Sequence, residues 1–179
     1  RDDNVEGRNV YEIFNYQIAY EIRLQQAMEE NLLCPFHYFG ITDLSMIGDE
    51  EAARDFNMLT SDERVRHIVN QADYYGYSGD KVKGLIFCSN IKETEELSAK
   101  FNQIINPATG KNFRTVALNG SASEQERQDA FERLAMNEDE SSEDRQPLDY
   151  IFSVEILNEG VDIVEVNQVI MLRPTQSPI

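Results

Sequence analysis

Leu148-Asp149-Tyr150-Ile151-Phe152-Ser153-Val154-Glu155-Ile156-Leu157-Asn158-Glu159-Gly160-Val161-Asp162-Ile163 is the stretch that decides the fold. Its first half is an apolar run rich in Ile, Val and Phe, the composition of a strand buried on both faces. It ends in a polar loop in which Gly160 stands two residues before Asp162. A second apolar run, Val166-Asn167-Gln168-Val169-Ile170-Met171-Leu172, follows at once. In a parallel sheet, the loop leaving the carboxyl end of a strand is where ligands bind. Gly160 lets the backbone come close to a ligand, and Asp162 offers an acceptor for a sugar hydroxyl. Gly and Asp also build ordinary turns, so both readings stand at this point.

Working outward, two strand-to-helix units precede this stretch. Lys83-Gly84-Leu85-Ile86-Phe87-Cys88 reads as a short apolar strand. Ser89-Asn90 then caps a helix from Ile91 to about Ile105, with Leu97, Phe101 and Ile104 on its inner face. Phe113 to Leu118 is the next strand. Asn119-Gly120-Ser121-Ala122 is a turn, and Ser123 with Glu126 makes a capping box for a helix carrying Ala130, Phe131 and Leu134. Residues 137–147 are acidic and read as a solvated, mobile loop. Strands separated by single helices give a parallel sheet with right-handed crossovers. The expected fold is therefore α/β, a three-layer parallel sheet.

Upstream, Ile18, Ile22 and Met28 fall near helical spacing, which predicts a helix over about 17–31. Cys34-Pro35-Phe36-His37-Tyr38-Phe39-Gly40-Ile41 reads as a strand starting at a proline. Thr60 and Glu63 form a capping box for a helix that runs toward Tyr75 and ends at Gly76. The expected organisation is a helical arm over residues 1–32 and one α/β domain over 33–179.

At 179 residues and 41% hydrophobic, the chain can bury a core of ordinary domain size. No apolar run approaches the roughly 20 residues that span a bilayer. The first residues are polar and include no initiator Met, so an excised piece of a longer protein is expected. Cys34 and Cys88 lie far apart and make no metal-type pair; a reducing, cytoplasmic setting is expected. His37 and His67 lack Cys or carboxylate partners at metal spacing, and a structural role is expected for both. The net charge of −17 argues against a simple basic nucleic-acid surface. Residues 81–135, however, hold eight Lys or Arg against seven Asp or Glu, a net +1, which leaves −18 for the remainder. A polyanion should meet the near-neutral part.

The loops after Cys88, Leu118 and Ile156 all leave carboxyl ends of strands and should line one edge of the sheet. Two of them run into helix N-termini, whose free N–H groups and positive dipole end can hold a phosphate without Lys or Arg. Ser89, Asn90, Asn119, Gly120 and Ser121 suit that role. They suit equally well the role of plain helix caps and turn residues.

These loops, in this order, resemble the second RecA-like domain of superfamily 2 helicases, a P-loop NTPase-type fold. Gly84 to Asn90 followed by Glu95-Glu96-Leu97 resembles motif IV. Leu118-Asn119-Gly120-Ser121 with Arg127 and Phe131 resembles the motif IVa region. Asn158 to Ile163 with Val166 to Leu172 resembles motif V. The similarity covers most of residues 82–173. The segment from Asn15 to Glu21, through Leu33-Cys34-Pro35-Phe36, is similar to the stretch after motif III in DEAD/DEAH-type helicases related to restriction-enzyme motor subunits.

The resemblance implies an ATP-driven helicase or translocase with ATP and Mg²⁺ as cofactors. Its partners would be nucleic acid, with duplex DNA favoured, and an N-terminal RecA-like domain. By the resemblance, Ser89 and Asn90 touch the strand backbone, and Asn119, Gly120 and Ser121 hold a neighbouring phosphate. Glu159, Gly160 and Asp162 lie on the ATP side of the interdomain cleft, Asp162 near the ribose. The Thr-Asp pair that usually opens motif V is Val154-Glu155 here, which removes a hydroxyl.

Several motor parts are not found. Gly110-Lys111 only partly matches G-x-x-x-x-G-K-[ST], because Ile105 stands where the first Gly belongs and Asn112 follows the Lys. Asp49-Glu50-Glu51-Ala52 has the letters of a Mg²⁺ box but no apolar strand leading into it. Motif VI is expected beyond Ile179, so this fragment alone is expected to hydrolyse no ATP. Tyr74, Tyr75 and Tyr77 would stack on bases or pack against the sheet, with packing expected. The competing reading is a non-catalytic α/β module whose acidic surface binds a basic protein. A nucleotide or small-molecule enzyme finds no nucleophile–base pair or dinucleotide glycine fingerprint to support it.

Overall fold

Gly84 is the residue on which the sheet closes. It sits opposite Tyr150 on one neighbouring strand and Gln168 on the other. A Cβ at Gly84 would come within 2.3 Å of the Tyr150 ring. The ring crosses the glycine, and its hydroxyl donates to Gln168 Oε1 at 2.6 Å. Gln168 Nε2 in turn donates to the carbonyls of Ala72 and Gly76 at 2.9 Å, tying three strands to a helix end.

The computed structural model describes residues 2–3, 8–9, 15–17, 22–41, 56–154, 156–157 and 163–173. The chain divides into two compact units, Arg1–Ile41 and Thr42–Ile179. In the first, β1 (Asp2–Asp3) pairs antiparallel with β2 (Arg8–Asn9). The helix α1 covers Leu24–Glu29, with Arg23 before it in an extended conformation. The helix expected over 17–31 is therefore shorter where it is described. Residues 34–41 form no strand, against expectation: they run exposed and irregular.

The second unit holds α2 (Phe56–Leu59), α3 (Asp62–Tyr75), β3 (Gly84–Phe87), α4 (Ile91–Phe101), β4 (Thr115–Leu118), α5 (Glu124–Ala135), β5 (Tyr150–Ser153) and β6 (Gln168–Met171). The four strands β3 to β6 form one parallel sheet in the order β4-β5-β3-β6. Alternate residues serve two cores. Ile86, Tyr150 and Phe152 face α3 and α4 with Val65, Leu97 and Phe101. Leu85 and Ile151 face α5 with Leu118, Ala130 and Leu134. Helices on both sides of a parallel sheet make the three layers expected. The Phe101 ring meets Phe152 edge-on at a centroid distance of 5.0 Å.

Two boundaries shift, and one loop is held in place. Ser61, not Thr60, caps α3, accepting from Arg64 N at 3.2 Å; the Thr60 carbonyl instead accepts from Lys100 Nζ at 2.7 Å. α4 ends at Phe101 rather than near Ile105, because the Asn102 side chain turns to accept from Thr115 N at 2.8 Å. The acidic segment 137–147 is anchored, not free. Arg145 pairs with Glu132 at 2.6 Å and Asp129 at 3.1 Å, and Arg133 Nε donates to the Gln146 carbonyl at 2.9 Å. Gly76 ends α3 with a φ of +67°, the left-handed conformation glycine adopts freely.

Candidate nucleic-acid interface

The parallel register carries all strand ends to one edge. Phe87 and Leu118 both pair with Ser153, and Phe87 pairs with Met171. Just past them, Cys88 N donates to Ser153 O at 2.9 Å and Leu172 N to Phe87 O at 2.9 Å. The loops at 88–90 and 119–123, and the chain leaving β5 at 154, therefore leave the same rim. Since β5 lies between β3 and β4, its turn sits between the other two. Ser89, Asn90, Asn119, Gly120 and Ser121 are brought together on this rim. Glu159, Gly160 and Asp162 lie outside the described residues, as does Asp49-Glu50-Glu51-Ala52.

The rim loops are held by their own hydrogen bonds. Asn90 caps α4, its Oδ1 accepting from Glu93 N at 2.9 Å. The Ser89 N–H donates to Glu93 Oε2 at 2.7 Å. Glu93 is itself buried and paired through Oε1 to Arg64 Nη1 at 2.7 Å, with 0% and 1% of the two side chains exposed. An arginine of α3 thus fixes the turn that starts α4. Asn119 Oδ1 accepts from Ser121 N at 2.9 Å and from Ser121 Oγ at 2.6 Å, an Asx-type turn. Gly120 is exposed, and nothing lies within 4 Å of where its Cβ would be. Ser123 and Glu126 form the full capping box at α5. Arg127 Nε folds back to the Ala122 carbonyl at 3.0 Å.

After β5 the chain turns sharply. Ser153 Oγ donates to the Ile156 carbonyl at 2.9 Å, and Leu157 has a φ of +64°. Val154 is buried at 2% exposure. Beneath the rim, Cys88 is fully buried, as expected of a core thiol; burial first, and the Glu93 carboxylate second, push its pKa up to about 12. Reading the sequence missed Arg64 and Glu93. Glu93 had a local signal, an acid three residues after a polar cap, as at Ser123 and Glu126. Arg64 had none.

Of the tyrosines, Tyr77 packs against the core, while Tyr74 is 80% exposed and meets Tyr75 edge-on. The packing expected of all three holds for Tyr77. Among the described residues there is no cluster of His, Cys, Asp or Glu that could hold a metal ion. No described helix is long and apolar enough to cross a membrane.

A four-stranded parallel sheet sandwiched by helices, with strand-to-helix loops gathered on one rim, is the RecA-like α/β arrangement of the C-terminal domain of a superfamily 2 helicase. Residues 63–179 match the helicase conserved C-terminal domain, and the chain belongs to that family. No curated protein matches the sequence. Among solved structures, the chain is similar to Mss116p DEAD-box helicase domain 2 bound to an RNA duplex. That likeness has 16% identity and a TM-score of 0.41, over 63% of this chain and 37% of the other.

Proposed function

We propose that the chain is the second motor domain of an ATP-dependent nucleic-acid helicase or translocase. In this reading residues 1–32 are the interdomain arm and 33–179 the domain. The rim loops meet the sugar-phosphate backbone, and the turn after β5 faces the ATP cleft shared with an N-terminal RecA-like domain. The observation that carries the reading is the parallel register, which sets two helix starts on one rim with a strand between them. Two inter-strand spacings are roughly 10 Å, a reach of about three nucleotides at the rise of one strand. Exposed main chain at Gly120 and the positive ends of α4 and α5 supply attraction that the acidic composition does not.

Glu159, Gly160 and Asp162 are assigned to ATP on the resemblance of their motif. ATP with Mg²⁺ supplies the energy for domain closure when bound. This chain's part is to position phosphates and to close one side of the cleft. We assign duplex DNA as the strand partner, on the likeness of the early segment to restriction-enzyme motor subunits.

In the full-length protein, Asn119→Asp with Ser121→Asp is expected to weaken binding to a DNA duplex on the order of tenfold at about 50 mM salt, through repulsion of the backbone. Unchanged affinity there would remove the grip assigned to this loop, and tighter binding to an RNA duplex would overturn the choice of DNA. The side chains of Asn90, Asn119 and Ser121 are already engaged within their loops, which favours a second reading. In it, the rim is structural and the acidic surface binds a basic protein; failure of the full-length protein to bind either a DNA or an RNA duplex would support that module.

A further inference from the structure

The opposite edge of the sheet, where the strands begin, is chemically unlike the rim. Arg114 N donates to Asp149 Oδ2 at 2.8 Å, and Asn167 Oδ1 accepts from Lys83 N at 2.8 Å, so the residues ahead of all four strands meet there. Lys111, Arg114, Glu138, Ser141 and Gln146 line a groove of about 350 Å³. Arg114 is ion-paired to Glu138, and Lys81 approaches the same carboxylate at 3.6 Å. Lys83 Nζ donates to the Met136 carbonyl at 3.1 Å beside the groove. The Arg114 guanidinium holds the Glu138 carboxyl below its usual range, with Lys81 and Lys111 adding to the effect. Asp149 is buried, and that burial raises its pKa against the pull of Arg114. Glu140 is turned away, accepting from Asn137 N at 2.8 Å. Two long cations, Arg114 and Lys81, thus meet Glu138, and a third, Lys111, lines the same groove, in a chain whose net charge is −17.

We propose that this groove is a second binding site, for a phosphate-bearing anion. Arg114, Lys111 and Lys81 supply the charge, Ser141 and Gln146 supply neutral hydrogen bonds, and Glu138 is the internal carboxylate that the ligand displaces. The volume lies within the range of small-ligand sites. Arginine presents the planar fork that suits phosphate oxygens. The site is independent of the rim and of the strand contact assigned there.

The test is titration of inorganic pyrophosphate into the 179-residue chain at low salt, followed by backbone amide NMR. Saturable shifts are expected at Lys111, Arg114, Ser141 and Gln146. Lys111→Glu, at an exposed position, is expected to weaken binding about tenfold, and Glu138→Gln to strengthen it about threefold by removing the competing charge. Unchanged far-UV spectra show that each variant remains folded. A short DNA duplex run in parallel identifies the source: groove shifts with both probes assign a phosphodiester backbone, and shifts with pyrophosphate alone assign a free polyphosphate. No saturable shifts, shifts confined to residues 89–90 and 119–121, or weaker binding by Glu138→Gln would overturn the proposal.

Discussion

The starts of α4 and α5 share one local pattern and differ in burial. Each follows a strand of the sheet, opens on a polar cap, and carries a glutamate three residues on. At α5 that glutamate is exposed: Glu126 Oε2 accepts from Ser123 N at 2.8 Å and from Ser123 Oγ at 2.7 Å. At α4 it is fully buried: Glu93 reaches back past the cap to Ser89 N and sideways to Arg64 of α3. The first arrangement is a device of four residues in water. The second joins two helices and a rim loop, and a charge held there out of water depends on its partner. The pattern says where each helix begins; burial decides how much else depends on it.

The largest effect is therefore expected at Arg64. Arg64→Met leaves the Glu93 carboxylate buried without its cation and should cost about 3–5 kcal/mol in denaturant unfolding. Adding Glu93→Leu should recover more than half of the loss, because removing both charges removes the desolvation problem. A single-variant loss below about 1 kcal/mol would place the pair among surface-like contacts and erase the contrast between the two helix starts. Cys88 supplies a second readout. At neutral pH a thiol reagent should modify exposed Cys34 and spare Cys88, whose buried thiol is held at about 12. Labelling of Cys88 should accelerate in Arg64→Met as the turn above it loosens.

The caps come next in size. Ser123→Ala removes one side-chain acceptor and should cost about 1 kcal/mol. Asn90→Ala removes the same kind of bond and also loosens the loop whose Ser89 amide Glu93 holds. Its cost is expected to exceed that of Ser123→Ala by about a factor of two within the usual range for caps. Equal losses from thermal unfolding would mean that the buried glutamate holds the loop without help from Asn90.

What could be read beforehand follows the same division. The strands were legible because Leu85-Ile86-Phe87, Val116-Ala117-Leu118 and Tyr150-Ile151-Phe152 are apolar runs set between helical segments, and the crossover rule then placed their loops on one edge. The capping box at Ser123 was legible because it is local. Cys34 to Ile41 misled because an apolar composition alone does not fix an extended, laddered backbone, and the run is exposed. Thr60 and Ser61 fit a cap equally well; Lys100, at the other end of α4, selects between them by binding the Thr60 carbonyl. Residues 137–147 look unconstrained by composition, yet Arg145 is held by acids of α5. The requirement for glycine at position 84 comes from a ring 66 residues away in sequence, on Tyr150. On the rim, the candidate residues were legible but their bonding was not, since the engagement of the Ser89 amide depends on where Glu93 and Arg64 meet.

The smallest effect belongs to Glu126. Hydrogen bonds from the Ser123 amide and then the Ser123 hydroxyl hold its carboxyl below the usual glutamate range. A carboxylate with a depressed folded-state pKa stabilises the native protein above its unfolded pKa. That contribution disappears as the pH falls through the folded value. In carboxyl-detected NMR titration, Glu126 should therefore ionise at lower pH than an unperturbed glutamate, and Ser123→Ala should move its midpoint upward. The same substitution should flatten the acid limb of the stability curve only slightly, because the group is exposed and screened. A midpoint unmoved by loss of the hydroxyl would assign the depression to the Ser123 backbone N–H alone.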